Sequence, residues 1–366
     1  MTYRLGIDLG TTYTAAAIAS DGKVEIVPLG NRAATIPSVI FLRDDGTVLA
    51  GEAASRRALS DPQRVAQEFK RRLGDPTPIV LGGTPYSAES LMAKLLAWVV
   101  ERVTERQGGP HDRVALTYPA NWGPYKRDLL DQAIRMAELT DAVTLTEPEA
   151  AAVYYATQER VEPGATVAVY DLGGGTFDAV VLRKRVDIGF DILGTPEGIE
   201  RLGGIDLDQA VFFHVNQSIG GAIDALDAND PATVSALARL REECVGAKEA
   251  LSSDSDTSIP VLLPNLQTEV RLTRSELETM IRPTLAETIA ALRRAIRSAN
   301  LEPAEIDRVL LVGGSSRIPL VAQMVTDELE RPVAVDAHPK HAVALGAAIT
   351  AAEAASTPPA GAVPPP

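Results

Sequence analysis

Residues Arg4–Thr12 read RLGIDLGTT, an apolar run that ends in Asp-Leu-Gly and two threonines. The alternation in this run predicts a β-strand, and the glycine predicts a tight turn into a second strand. Residues Val167–Thr176, VAVYDLGGGT, repeat the order, and an apolar returning strand, Phe177–Leu182, follows them. Two such units, one in each half of the chain, predict two similar lobes that face one cleft.

The two turns have the composition of phosphate-binding loops. Glycine lets the backbone approach closely and lets successive N–H groups point toward a phosphate, and threonine hydroxyls add donors. Asp8 and Asp171, at the strand ends, could hold a magnesium ion, largely through water. Neither turn is a P-loop or a dinucleotide fingerprint, because the Gly-Lys-Ser/Thr ending is missing and a strand follows. One turn alone could be an ordinary hairpin turn, but two in register predict a grip on a triphosphate and its metal.

A third glycine turn follows the apolar strand Arg308–Val312. Its residues, Gly313-Gly314-Ser315-Ser316, lead into a predicted helix over 319–330. Such a turn could present backbone close to a flat group, and the Arg317 guanidinium could stack on a base. Considered alone, this turn could also be an ordinary connection between a strand and a helix.

The composition excludes several classes of protein. The 366 residues are 45% hydrophobic and 23% charged, as in a globular protein, and the apolar runs are shorter than the roughly 18 residues of a membrane helix. A net charge of −14 without a basic block argues against a nucleic-acid partner. The single cysteine, Cys244, excludes an intramolecular disulfide framework. Because the first residues lack a signal-peptide pattern, we expect a cytoplasmic protein.

Strand-like and helix-like segments alternate along the chain, which predicts an α/β protein. The hydrophobic spacing predicts strands at Arg113–Tyr118 and Thr166–Tyr170, and a hairpin over 258–272. It predicts helices over 88–106, 122–139, 274–299 and 341–355, and mostly helix over 206–253.

With these motifs in this order, residues 3–352 resemble the nucleotide-binding domain of the seventy-kilodalton heat-shock chaperones (DnaK type), in the actin, sugar-kinase and chaperone ATPase superfamily. The connecting-helix segments Thr146–Ala152 and Ala344–Ala348 match as well. The chaperone branch is favoured by Phe69–Gly74 (FKRRLG), Asp171–Asp178 (DLGGGTFD) and Gly314–Pro319 (GSSRIP).

The resemblance implies an actin-like ATPase fold of two ribonuclease-H-like lobes, each with an inserted subdomain, around a central nucleotide cleft. Lobe I would cover 1–165 with an insertion at about 39–94, and lobe II would cover 166–352 with an insertion at about 206–284. Residues 353–366, rich in proline and alanine, are expected to form a flexible tail, with no peptide-binding domain present.

Family roles carry over to individual residues of this sequence. The implied catalytic residues are Lys70, Glu147, Asp178 and Thr176, and the implied magnesium-side residues are Asp8 and Asp171. The implied nucleotide contacts are Gly10, Thr11, Thr12, Tyr13, Gly173, Gly174, Gly175, Lys248, Ser252, Gly313, Gly314, Ser315 and Arg317. The implied ligands are ATP or ADP with Mg²⁺, and the family resemblance allows for K⁺.

Three positions depart from the family pattern on the adenosine side. Val245 stands where a glutamate is usual, Glu249 where some members have an arginine, and Lys340 where an aspartate is usual. We therefore expect weaker nucleotide binding than in a typical chaperone. Pro119 and Arg127 match residues that relay the nucleotide state to a peptide-binding domain.

The leading hypothesis is a chaperone-like ATPase module that closes two lobes around Mg-ATP and hydrolyses it slowly, driving a conformational switch in a partner or an absent domain. Expected partners are a co-chaperone, a nucleotide-exchange factor, or a protein that binds the lobe I face or the C-terminal tail. An actin-like polymerising ATPase, a small-molecule kinase and a nucleotide sensor with little turnover remain alternatives.

Overall fold

The computed structural model describes residues 2–31, 33–58, 60–139, 142–227, 230–335 and 341–356. Lys340 and the residues from 357 onward, about which the sequence makes predictions, lie outside the described residues. No helix in the described part of the chain is long and apolar enough to cross a membrane.

The first half of the chain forms β1 to β11 and α1 to α4. In chain order the elements are β1 (Arg4–Leu9), β2 (Tyr13–Ser20), β3 (Lys23–Val27), β4 (Ile36–Pro37), β5 (Ile40–Leu42), β6 (Val48–Ala50), α1 (Glu52–Arg57), β7 (Val65–Ala66), β8 (Ile79–Leu81), β9 (Thr84–Tyr86), α2 (Ala88–Gln107), β10 (Arg113–Tyr118), α3 (Pro124–Met136), β11 (Val143–Thr146) and α4 (Glu147–Gln158). Short 3₁₀ turns cover Pro62–Arg64 and Phe69–Arg72.

The second half forms β12 to β18 and α5 to α9. In chain order the elements are β12 (Thr166–Leu172), β13 (Phe177–Lys184), β14 (Phe190–Ile199), α5 (Gly204–Ser218), α6 (Pro231–Ala250), β15 (Asp256–Leu263), β16 (Leu266–Thr273), α7 (Arg274–Ser298), β17 (Arg308–Val312), α8 (Pro319–Leu329), β18 (Val333–Val335) and α9 (Ala342–Ser356). Short 3₁₀ turns cover Ala222–Ala225, Pro303–Glu305 and Gly314–Arg317.

Each half builds one main sheet, and the two sheets have the same topology. The strand order is β11-β10-β1-β2-β3 in the first sheet and β14-β13-β12-β17-β18 in the second. In both, the strand that precedes the glycine turn pairs antiparallel with its returning strand and parallel with a strand from later in that half. The internal repeat in the sequence therefore corresponds to two equivalent lobes.

Two helices pack between the sheets, and each crosses to the opposite half of the chain. Helix α9, from the end of the chain, packs on β1, β2 and β10 of the first sheet, and α4 packs on the second sheet and on α9. Helix α9 lies very close to both of its neighbours. A Cβ on Gly346 of α9 would lie 1.8 Å from the Ala150 carbonyl oxygen of α4, and a Cβ on Gly6 of β1 would lie 2.2 Å from the Ala348 nitrogen of α9. Only glycine permits this approach.

The remaining elements form the outer parts of each lobe. The small sheet β6-β5-β7, α1 and the hairpin β8–β9 lie in the range predicted as the lobe I insertion, and α5, α6 and the hairpin β15–β16 lie in that of lobe II. Helix α9 extends to Ser356, so residues 353–356, which were predicted to begin the tail, are helical. The predicted boundaries place α9 in lobe II because of its position in the chain. In the structure α9 packs on the first sheet, which belongs to lobe I.

Candidate functional site

The turn between β1 and β2 is held from behind by Ser38. The Ser38 hydroxyl donates to the Gly10 carbonyl (2.7 Å), and the Ser38 N–H donates to the Thr12 carbonyl (2.8 Å). The Gly10 N–H closes the turn on the Tyr13 carbonyl at 3.0 Å, and a Cβ on Gly10 would lie 2.4 Å from that same oxygen. Glycine is therefore required here, and Ser38 fixes the direction of two carbonyls in the turn.

The turn between β12 and β13 is held by the start of α5. The Gly173 and Gly174 carbonyls accept hydrogen bonds from the N–H groups of Gly204 (3.0 Å) and Ile205 (2.9 Å). Within the described residues, the Gly174 and Gly175 N–H groups donate no hydrogen bond to the protein. A turn whose carbonyls are satisfied and whose amides are available is suited to bind an anion.

The two turns contact each other across the cleft. A Cβ on Gly174 would lie 1.8 Å from the Thr12 hydroxyl oxygen, and a Cβ on Gly175 would lie 2.4 Å from Cγ2 of Thr11. The Thr12 hydroxyl is buried and has no hydrogen-bond partner among the described residues. Buried polar groups are normally satisfied, so this hydroxyl fits a site that receives a polar ligand.

Lys70 and Glu147 form a buried ion pair beside the turns, with Nζ 2.6 Å from Oε1. Lys70 lies on the 3₁₀ turn Phe69–Arg72, and Glu147 is the first residue of α4, whose N-cap is Thr146. The Trp122 ring covers the ammonium group at 5.6 Å from the ring centroid. The pair and the ring together hold the Lys70 ammonium in one place at the base of the cleft.

Carboxylates outnumber cations around this pair. Burial, together with repulsion from the Glu147 carboxylate, raises the pKa of Asp8 and of Asp178 to about 7 in each case. Burial, with repulsion from Glu147, Asp178 and Asp8, raises the pKa of Asp171 well above its ordinary value. Burial lowers the pKa of Lys70, but the surrounding carboxylates outweigh it and leave that pKa raised.

This excess of negative charge fits a magnesium site. Asp8 and Asp171 come from equivalent positions in the two lobes, and the Thr117 hydroxyl donates to Asp8 Oδ1 at 3.2 Å. Among the described residues, no three His, Cys, Asp or Glu side chains could form a metal site by themselves. Mg²⁺ commonly uses one or two carboxylates and completes its shell with water and phosphate oxygens, so two aspartates are sufficient.

A cavity of about 10 Å³, roughly the size of one water molecule, lies next to the ion pair. Its lining includes Lys70, Thr176 and Pro119. Asp178 is nearly fully buried in lobe II, and its Oδ1 accepts a hydrogen bond from the Asn121 N–H of lobe I at 3.3 Å. The predicted catalytic residues thus come together from both lobes.

The third turn lies against the second one. Gly313 has φ +81°, and a Cβ there would lie 2.3 Å from the Leu172 carbonyl oxygen and 2.6 Å from Asp171 Oδ1. The Ser315 hydroxyl donates to the Gly173 carbonyl at 3.0 Å, and the Gly314–Arg317 segment forms a 3₁₀ turn with Arg317 exposed. Gly313 therefore allows the third turn to lie directly against the end of β12 and Asp171.

The region that the sequence predicts to contact adenosine contains an ion pair that the sequence did not indicate. Lys248 is buried, with its Nζ 2.6 Å from Asp208 Oδ1 and 3.1 Å from the Gly204 carbonyl. Burial raises the pKa of the Tyr13 phenol, and the nearby charges of Glu249, Asp208 and Glu52 raise it further. Ser252 and Val245 are half-buried on the same part of α6 and the turn after it. The region that the sequence predicts to contact adenosine therefore carries several acidic side chains.

Arg127 lies away from the ion pair, on the outer face of lobe I. It lines a cavity of about 240 Å³ together with Tyr118, Asp128 and Asp131. The Tyr118 ring stacks on Trp122 with centroids 6.4 Å apart, and Trp122 in turn covers Lys70. A packed path therefore connects the surface near Arg127 with the candidate active site.

Several site residues were missed by sequence reasoning because their roles depend on long-range contacts. They are Ser38, Trp122, Asn121, Asp206, Asp208 and Arg71. Only Arg71 lies within a motif that the sequence singled out, Phe69–Gly74, and there it could not be distinguished from Arg72.

A family model described as "Hsp70 protein" matches residues 4–80 and 77–357, which is nearly the whole chain. The chain is 30% identical over 359 residues to the chaperone protein DnaK of Elusimicrobium minutum, and 32% identical over 357 residues to that of Thermosipho melanesiensis. These matches cover 95% and 96% of this chain, but only 57% and 59% of the two relatives.

The family match also supports the fold prediction. Two equivalent lobes with glycine turns that meet at a central cleft agree with the actin-like ATPase fold expected from the sequence. The family model matches nearly the whole chain, and the two relatives align with 95% and 96% of it. The chain belongs to the Hsp70 protein family.

Proposed function

We propose that this chain is a chaperone-type ATPase module that binds Mg-ATP or Mg-ADP between its lobes, hydrolyses ATP to ADP and orthophosphate, and transmits the resulting lobe movement to a partner protein or domain. The observation that carries the proposal is the meeting of the Thr11–Thr12 and Gly174–Gly175 turns beside the buried Lys70–Glu147 pair.

Each residue has a chemical role in this proposal. The amides of the two turns bind phosphate oxygens, and Lys70 neutralises charge that develops on the transferred phosphoryl group. Bound Mg²⁺, held by Asp8 and Asp171 largely through water, would neutralise phosphate charge. Thr176, which lines the small cavity beside Lys70, orients the attacking water, and Glu147 and Asp178 supply carboxylates that help to orient it.

We propose that turnover is slow. The Lys70 ammonium is already paired with Glu147 at 2.6 Å, so less of its positive charge is available to the transition state. Catalysis then depends on positioning.

We also propose weak nucleotide binding, for a reason located on the adenosine side. Lys248, the expected nucleotide contact, is paired with Asp208, and Glu249 adds further negative charge near Tyr13. A nucleotide must compete with Asp208 for Lys248. Calorimetric titration with Mg-ADP should show weak binding that tightens in Asp208→Asn. Tight binding by the unaltered chain would contradict this part of the proposal.

Single-turnover hydrolysis tests the central proposal. The unaltered protein should release orthophosphate, and Lys70→Ala should reduce the rate by about two orders of magnitude, as expected for loss of an electrostatic group at a transition state. Thr176→Ala should also be slower, while Lys23→Ala, at an exposed lysine of β3, should match the unaltered protein. Equal rates in all four proteins would refute the site assignment.

The same measurements separate the alternatives. Nucleotide binding without phosphate release would favour a sensor, and transfer of phosphate to an acceptor would favour a kinase. The polymerising alternative is not favoured, because the family shown is Hsp70. Light scattering after addition of ATP tests it directly, and an increase would contradict the proposal of a chaperone-type module.

The proposed partners are a co-chaperone, a nucleotide-exchange factor, and a protein or domain that binds the lobe I face or the tail. The cavity near Arg127, connected to Lys70 through Tyr118 and Trp122, supports a lobe I contact. We also propose a cytoplasmic location. The proposal does not depend on K⁺.

A further inference from the structure

We infer that Arg71 is a positioning residue for the proposed reaction: it fastens lobe I to the second phosphate turn and thereby keeps the cleft closed with Lys70 and Thr176 aligned. This inference rests on the proposed function. It assigns a role to the residue next to Lys70, on the same 3₁₀ turn.

The Arg71 guanidinium crosses the cleft with four polar contacts, three of them at 2.9 Å or less. Its Nε and Nη2 donate to the Gly175 carbonyl at 2.9 and 2.7 Å. Its Nη2 and Nη1 lie 2.5 and 3.5 Å from the two carboxylate oxygens of Asp206. The side chain is only 13% exposed. A planar guanidinium is well suited to hold a carbonyl and a carboxylate at once, since its donors form a rigid fork.

Arg71 completes the support of the second turn. The carbonyls of Gly173 and Gly174 are held by α5, from the same lobe, whereas the Gly175 carbonyl is held by Arg71, from the opposite lobe. Because the peptide unit is planar and trans, fixing the Gly175 carbonyl also fixes the direction of the Thr176 N–H, on the opposite side of that unit. Arg71 therefore determines the orientation of a residue that contributes to the proposed chemistry.

Asp206 connects the same contact to α5. Its Oδ2 accepts the Gly203 N–H at 2.8 Å, at the start of the helix, as well as the Arg71 contact. Separation of the lobes would break the hydrogen bonds to Gly175 and the ion pair with Asp206 together. Arg71 is thus expected to slow opening of the cleft and release of nucleotide.

Arg72 provides a matched control on the same turn. Its guanidinium contacts Asp75 at 3.1 Å and the Thr77 carbonyl at 2.7 Å, both within lobe I, and it is half-exposed. Arg72→Ala removes an arginine from this turn without removing a contact between the lobes.

The test compares Arg71→Ala, Arg71→Lys and Asp206→Asn with Arg72→Ala. We expect Arg71→Ala to release a fluorescent Mg-ADP analogue about tenfold to a hundredfold faster, the scale of a lost charge-assisted contact, and to slow single-turnover hydrolysis. Arg71→Lys should recover only part of the effect, because an ammonium on a flexible stem lacks the rigid fork of donors that holds both partners in fixed directions. Arg72→Ala should behave like the unaltered protein.

A second readout does not depend on nucleotide. Spin labels at Gln63→Cys and Asn265→Cys, exposed positions on the outer parts of the two lobes, measure the width of the cleft in the free protein, and the native Cys244 is buried. Arg71→Ala should broaden the distance distribution toward longer values, and Arg72→Ala should not. Loss of stability alone would lower the melting temperature without opening the cleft of the folded protein.

The outcomes separate this inference from the proposed function. If the unaltered protein neither binds nucleotide nor releases phosphate, the proposed function fails, whereas the spin-label distances still report on Arg71. Unchanged distances and unchanged nucleotide release in Arg71→Ala would overturn the inference. Full recovery in Arg71→Lys would overturn it as well, because a positive charge alone would then be sufficient. If Arg71→Ala does not fold, Asp206→Asn and Arg71→Lys decide.

Discussion

Replacement of Lys70 by methionine should destabilise lobe I in a way that depends on pH. The substitution keeps an apolar side chain of similar length under the Trp122 ring but removes the ammonium that pairs with Glu147 at 2.6 Å. Both side chains of the pair are almost inaccessible, 6% and 12% exposed, so water cannot replace the lost partner. The Glu147 carboxylate is then left near Asp8 and Asp178 with no compensating charge.

An upper limit on the magnitude is the cost of folding with one more carboxyl group protonated to compensate for the lost ammonium. For a carboxyl group of ordinary pKa near 4, protonation at pH 7 costs about 1.4 kcal/mol per pH unit over about three units, or about 4 kcal/mol. This value agrees with the roughly 3–5 kcal/mol found when one partner of a buried ion pair is removed. At pH 5 the same cost falls to about 1.4 kcal/mol. The destabilisation should therefore shrink about threefold between pH 7 and pH 5.

Urea unfolding followed by tryptophan fluorescence measures this loss where it occurs. The only two tryptophans of the chain, Trp98 and Trp122, both lie in lobe I, so their fluorescence reports the unfolding of that lobe. The double variant Lys70→Met with Glu147→Gln removes both charges and should recover most of the stability, because no unpaired carboxylate remains.

Two results would refute this reasoning. One is a loss of stability in Lys70→Met that is equal at pH 5 and pH 7, which would indicate a packing defect. The other is a double variant as unstable as the single variant, since the cost would then not come from Glu147.

Three further predictions test other parts of the structure. Gly346→Ala should lower the melting temperature, because its Cβ would lie 1.8 Å from the Ala150 oxygen, whereas Gly246→Ala, at an open helical position, should raise stability by about 0.5–1 kcal/mol. The pKa of Asp178 is raised to about 7, so its carboxylate destabilises the folded protein above that pH, and this destabilisation decreases as the group takes up a proton at lower pH. Asp178→Asn should therefore be more stable than the unaltered protein at pH 8. Calorimetry should show a smaller difference at pH 6. Asp8→Asn should weaken binding of Mg-ADP by about tenfold and reduce the effect of EDTA on ADP binding, and equal Mg²⁺ dependence in both proteins by titration calorimetry would count against Asp8 as a metal residue.

The elements predicted correctly from the sequence are those whose hydrophobic pattern lies within one short segment of the chain. Strands Arg113–Tyr118 and Arg308–Val312 were predicted with the correct bounds, because each is an apolar run with clear limits. Strand β14 was missed, because it lies at the edge of the second sheet, is largely exposed and contains two glycines, so it lacks the hydrophobic pattern of a buried strand. Helix α3 is shorter than predicted, beginning at Pro124 and ending at Met136.

The candidate site was predictable where a motif encodes it. The glycine turns and their aspartates could be located from the repeat alone, whereas Lys70 and Glu147 required the family resemblance, since nothing local distinguishes Lys70 from its basic neighbours. The pairing of Lys248 with Asp208 could not be predicted, because the two residues are 40 positions apart (248 − 208) and meet only when α6 packs on α5.

The charges of the cleft make lobe closure depend on what the cleft contains. Asp8 and Glu147 come from the first half of the chain and Asp171 and Asp178 from the second. Burial, and after it the repulsion among these carboxylates, raises the pKa of Asp171. In the empty cleft this repulsion opposes closure, and Arg71 acts against it through Gly175 and Asp206. A divalent cation would remove much of the repulsion while the Arg71 contacts remain. Bound Mg-nucleotide therefore needs to contribute only the free-energy difference between the carboxylate repulsion and the Arg71 contacts. When that difference is small, binding and release of the ligand can switch the lobes reversibly.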